Sequence, residues 1–159
     1  MTAIGCTGHQ TLSELTRRRV AAAMATEIAK VEDELVGLCS LAVGADQIFA
    51  NVLLASGGRL YAVIPCRGYA GTFDDEAARQ EFERLLSAAH EVIELPFSEP
   101  SEEAFMAAGR AVADQCDLLL AVWDGQPAGG LGGTGDVVSH ATDRSKKVKI
   151  LWPEGSSRS

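Results

Sequence analysis

The chain has 159 residues and carries 14 Lys+Arg against 22 Asp+Glu, a net charge of −8 with the histidines neutral. At 47% hydrophobic and 23% charged it can bury a core, which excludes intrinsic disorder and fits one domain. The acidic balance argues against a nucleic-acid partner, because neutralising phosphates needs a basic surface. No apolar run approaches the roughly 20 residues that span a bilayer, so no membrane partner is expected.

Short apolar runs alternate with helical patterns along the chain. The first run is Thr2–Cys6. The spacing of Leu15, Val20, Ala23, Met24, Ile28 and Val31 predicts a helix from about Leu12 to Glu34, opened by a capping box at Thr11-Leu12-Ser13-Glu14. The run Leu35–Val43 lacks alternation, as a strand covered on both faces does. Asp46 is expected to cap a short helix carrying Phe49, Val52 and Leu53, which stops at Gly57-Gly58. Leu60–Ile64, closed by Pro65, is the third run, and the loop Cys66–Asp74 follows it. A helix with Ala78, Phe82, Leu85, Leu86 and Ala89 on one face leads to the fourth run, Glu91–Leu95.

Ser101 caps the next helix, whose inner face reads Phe105, Ala108, Val112 and Cys116. Asp117–Trp123 is the most apolar run, and a glycine-rich loop, Asp124–Gly135, follows it. A short helix from about Asp136 to Arg144 and a last run, Val148–Trp152, complete the pattern. Residues 1–153 therefore form one domain, and Glu154–Ser159 reads as a flexible polar tail. Alternating strands and helices imply an α/β fold: a Rossmann-like parallel sheet with helices on both faces. Cys6, Cys39, Cys66 and Cys116 form no CxxC pair and read as small buried hydrophobes. With no signal-peptide core at the N-terminus, the expected location is cytoplasmic.

Ligands of such sheets bind at the carboxyl ends of the strands, near the point where strand order reverses. After the first run stand Gly5-Cys6-Thr7-Gly8-His9-Gln10, where glycines let a backbone approach a ligand and His9 offers a donor. After the second comes Gly44-Ala45-Asp46. After the third, Arg67 can face an anion, and Tyr69 or Phe73 can stack on a base. After the fifth come Asp124 and then Gly129-Gly130-Leu131-Gly132-Gly133-Thr134-Gly135-Asp136, opening into a helix whose free N–H groups favour phosphate. Thr134 adds a hydroxyl and is expected to cap that helix. The candidate ligand-binding residues are thus Gly5, Gly8, His9, Gly44, Arg67, Asp124, Gly132, Gly133, Thr134 and Asp136. Phosphate is expected on Gly132-Gly133-Thr134, and the base or sugar toward Gly8, His9 and Gly44. No metal set, Walker A loop or G-x-S-x-G elbow is found in the sequence.

Four pieces carry a resemblance: Gly5-Cys6-Thr7-Gly8-His9, Gly44-Ala45-Asp46, Cys116-Asp117 before the fifth run, and Gly132-Gly133-Thr134. Together, over about Ile4 to Pro153, they resemble the SLOG superfamily, which includes the DprA/Smf proteins and the LOG (lysine-decarboxylase-like) phosphoribohydrolases. The resemblance implies a Rossmann-like fold, a nucleotide or nucleotide-derived ligand (AMP-like or NAD-derived) with no further cofactor, and a homodimer. It also implies that some such proteins act as sensors. The LOG enzymes use an Arg and a Glu to cleave a nucleoside 5′-monophosphate, and those positions fall on Ala108 and Val137 here. Neither side chain can act as an acid, so no catalytic residue is assigned. The expected function is nucleotide binding. The alternative is a LOG-like phosphoribohydrolase with Asp136 as its acid.

Overall fold

Runs that are apolar on both faces need cover on both sides, and right-handed crossovers through helices supply it. The computed structural model describes residues 1–127 and 133–159. Its strands are β1 (Thr2–Gly8), β2 (Leu35–Cys39), β3 (Arg59–Ile64), β4 (Glu91–Glu94), β5 (Leu118–Val122) and β6 (Lys147–Ile150). Its helices are α1 (Glu14–Ala29), α2 (Ala45–Ala55), α3 (Glu76–Ala88), α4 (Glu102–Gln115) and α5 (Thr134–Asp143), with a 3-10 turn at Tyr69–Thr72. All strand pairs are parallel, in the order β4-β3-β2-β1-β5-β6. The expected α/β architecture is the one adopted.

Side-chain alternation along β1 divides the core in two. Ile4 and Cys6 face Val20 and Met24 of α1, Phe49 and Leu53 of α2, and Phe82 and Leu85 of α3. Ala3 faces the other layer, with Met106, Ala108 and Val112 of α4 and Val137 and Ala141 of α5. Gly5 lies on this second side. A Cβ there would sit 2.8 Å from Val112 Cγ1, so bare backbone is what lets α4 settle onto the sheet. All four cysteines are free and buried. Among the described residues no helix is long and apolar enough to cross a membrane.

Several boundaries differ from the sequence pattern, for physical reasons. The α1 cap is Ser13, whose Oγ accepts from Thr16 N at 3.2 Å. The helix ends at Ala29 rather than Glu34, because the chain must swing back until Glu34 O accepts from Thr2 N at the foot of β1. The run Leu35–Val43 is strand only to Cys39. Leu41 stays apolar because it is buried from a loop, at φ +57, not because it is paired. Phe105, expected on the inner face of α4, is 36% exposed and leans on the Tyr69 ring, with ring centroids 6.2 Å apart.

Candidate functional site

Strand order reverses between β1 and β5, and the crevice that such a reversal leaves is where ligands of parallel sheets bind. Gly8, the last residue of β1, pairs with Val122, the last of β5. A cleft of about 590 Å³ opens above them, within the roughly 300–1,000 Å³ typical of small-molecule sites. Gly8, His9 and Gln10 line it from β1, with Ser40, Ala42 and Val43 from the β2 loop and Gly133, Thr134 and Gly135 from the start of α5. A Cβ on Gly8 would fall 2.5 Å from Ala45 Cβ and 2.7 Å from Val122 Cβ, so the cleft floor there has to be bare backbone.

The remaining sequence candidates separate. Gly132 lies outside the described residues. Gly133 and Thr134 reach the cleft, but the helix cap is Gly133, with no side-chain cap bond, and Thr134 sits inside the first turn. Gly44 does not line the cleft. It caps α2 at φ +88, and a Cβ there would lie 2.3 Å from Gln10 O. It is the joint that lets α2 meet the β1 loop, where Ala45 N donates to His9 O. Gly5 is held under α4, away from the cleft. Arg67 is exposed and outside the lining, its amide donating to Phe97 O. Asp136 follows in the first turn of α5 and is likewise outside the lining. Ala108 is packed in the layer of α4 and α5, 1% exposed, and Val137 packs there too at 2% exposed but also lines the cleft.

His9 is tied into a cluster. Asp124 N donates to its Nε2 at 3.0 Å, and Arg158 Nη2 stands 3.1 Å from the same atom. Arg158 Nε in turn contacts Asp124 Oδ2 at 2.9 Å. Asp124 Oδ1 also stands 3.2 Å from Nε2, but the nearer guanidinium and amide can only donate, which favours Nε2 as the acceptor of a neutral imidazole. Burial and the neighbouring Arg158 charge hold His9 below its ordinary value, against the pull of Asp124. The Trp152 ring meets His9 edge-on, centroids 5.5 Å apart.

Asp46 departs furthest from expectation. It is not a helix cap: Gly44 holds that place, and the Asp46 carboxylate turns back to accept from Ser40 N at 3.2 Å and Ala42 N at 3.3 Å. This bracket holds the left-handed turn at Leu41. The side chain is buried yet lines the cleft. Burial pushes its pKa up to about 7, although the two amides pull the other way. The signal was present: an aspartate two residues beyond the glycine lies inside the helix, where a cap cannot be. Tyr69 and Phe73 both line the cleft, their rings edge-to-face at 5.4 Å. Trp123, Phe105 and Arg158 also line it. Arg158 had no signal in the sequence, since it lies in a polar segment with no periodicity.

No family model matches the chain, and no curated protein matches it. Solved structures do. DNA processing protein A (DprA) from Streptococcus pneumoniae superposes with a TM-score of 0.73 at 20% identity over 98% of this chain. This chain spans about half of that one, 52% of its length. DprA from Helicobacter pylori gives a TM-score of 0.68 at 17% identity, covering 98% of this chain and 68% of that one. The structural-genomics target TM1055 gives 0.59 at 12% identity, covering 93% and 72%. The Helicobacter pylori protein binds single-stranded DNA, which corrects the expectation, drawn from a net charge of −8, of no nucleic-acid partner. Charge summed over a whole chain does not exclude nucleic acid for a fold that carries it elsewhere. The Rossmann-like fold that the resemblance implied is the fold this chain shares with these solved structures.

Proposed function

We propose that the cleft binds a nucleotide or nucleotide-derived metabolite, AMP-like or NAD-derived, and that the chain serves as a recognition module for it. The observation that carries this reading is the meeting of bare backbone at Gly8 with the start of α5 at Gly133–Gly135 in one crevice. Backbone amides at a helix start favour anions, and glycine lets a phosphate come close. Phe73 and Phe105, backed by the buried Tyr69 ring, form an aromatic corner that offers faces for a base. Titration calorimetry with AMP, ADP-ribose, NAD and a single-stranded oligodeoxynucleotide tests the reading. Saturable one-to-one binding of a mononucleotide or dinucleotide supports it. Heat from the oligonucleotide alone would replace it with single-strand binding.

One observation favours a second reading, hydrolysis of the N-glycosidic bond. Asp46, not Asp136, puts into the cleft a carboxyl group that titrates near neutrality, as a general acid or base needs. Incubation with AMP, followed by chromatography for free adenine and ribose 5-phosphate, decides it. Release that survives Asp46→Asn would exclude Asp46 from the chemistry.

A further inference from the structure

Among the described residues lining the cleft, Arg158 is the one lysine or arginine. It comes from the far end of the chain, on a strap that crosses the start of α1. Ser13 N donates to Ser157 O at 3.1 Å, and Ser157 N donates to Thr16 Oγ1 at 2.8 Å. Thr16 is fully buried, so the residue next to Arg158 is anchored to the core. Arg19 holds the strap a second time, through Glu154 O.

We propose that Arg158 is the anion-recognising residue of the cleft and docks the phosphate of the nucleotide, with the nucleoside directed toward Tyr69, Phe73 and Phe105. This rests on the nucleotide reading above and adds an orientation and a residue to it. Two arguments carry it. The guanidinium is aimed by Asp124 on Nε and His9 on Nη2, and its side chain is still 47% exposed. A planar fork fixed on one edge and open on the other suits a phosphate.

The cleft is also electrically lopsided. At the β1–β5 end stand a neutral His9 and Arg158, whose charge Asp124 balances from the Nε edge, so that this end carries no net charge. At the other end, beyond β3, stand Asp74 and Asp75, with Asp46 between. Carboxylates repel a phosphate and accept hydrogen bonds from ribose hydroxyls or an exocyclic amine, so one orientation is favoured.

The test compares AMP, ADP-ribose and adenosine on the wild-type chain, Arg158→Gln and Arg158→Lys by calorimetry, with thermal melts as a folding control. Arg158→Gln is expected to weaken AMP and ADP-ribose by roughly ten- to a hundredfold and leave adenosine unchanged, since a charged hydrogen bond is what is lost. Arg158→Lys is expected to fall between, because an ammonium cannot reproduce the fork. If the wild type binds AMP and Arg158→Gln binds it equally, this inference fails while the nucleotide reading stands. If the wild type binds none of AMP, ADP-ribose and NAD, both fail. Equal loss of AMP and adenosine would make Arg158 a merely structural residue and overturn the inference.

Discussion

The amide of Asp124 donates to Nε2 of His9 across 3.0 Å, joining the loop after β5 to the loop after β1 where the sheet reverses. His9→Ala removes that acceptor and the Arg158 contact with it. The expected loss is about 1–2 kcal/mol, the range for an unmade hydrogen bond at a half-buried group. Urea midpoints check it.

The same residue predicts a pH effect. His9 is held below its ordinary 6.5 by burial and by Arg158. Between the lowered folded value and 6.5 the unfolded chain binds more protons. The His9 contribution to stability is therefore complete above pH 6.5 and is lost as pH falls through the folded value. His9→Gln should flatten that limb of the stability curve, and an unchanged limb would show that His9 does not titrate in this way.

Asp46 gives the opposite sign. Its folded value is about 7 against 3.8 unfolded, so the folded chain holds the proton between them. The contribution is fully present below pH 3.8 and is lost as pH rises through about 7. In that window the slope approaches about 1.4 kcal/mol per pH unit. Asp46→Asn keeps an oxygen for Ser40 N and Ala42 N and removes the slope. The measurement is the stability difference between wild type and variant at about pH 5 and about pH 8. Asp46→Ala, by contrast, leaves two amides unmet and should be destabilised at both.

Two glycines with positive φ separate strain from crowding. Gly44 at φ +88 has no room for a Cβ, which would strike Gln10 O at 2.3 Å and His9 O at 2.5 Å, both backbone. Gly68 at φ +73 has nothing within 4 Å. Gly44→Ala is expected to cost about 3 kcal/mol or more, and Gly68→Ala about 1 kcal/mol. Equal costs, read from denaturant midpoints, would show that the β1 and α2 loops are not wedged together.

Thr16→Val tests the strap. Valine keeps the volume of a fully buried residue and removes the hydroxyl that receives Ser157 N. Hydrogen exchange at the Ser157 amide should then speed up by roughly tenfold or more, the worth of about one hydrogen bond. The α1 interior should change little.

The fold was legible because burial on both faces leaves a strong trace: β5 is five apolar residues in a row, and Ser101 stands directly before its helix. Gly8 and His9 reach the cleft because they stand at the carboxyl end of β1, a place the apolar run Thr2–Cys6 marks in the sequence. Gly5 and Gly44, read in the same way, do not line the cleft. Both are required by close packing, of α4 on the sheet and of α2 on the β1 loop, and packing demands glycine as strongly as a ligand does. Arg158 was hidden because its place depends on contacts with residues near the other end of the chain, which local spacing does not encode.

His9 and Asp124 are 115 positions apart, and Arg158 stands 149 from His9. As the chain leaves the ribosome, β1 can pair with β2 early, but its other edge has no neighbour until β5 emerges. Until then an apolar strand presents open amides and carbonyls, a template for pairing with another nascent copy. A chain interrupted before β5 is therefore expected to aggregate rather than to persist as a smaller folded unit.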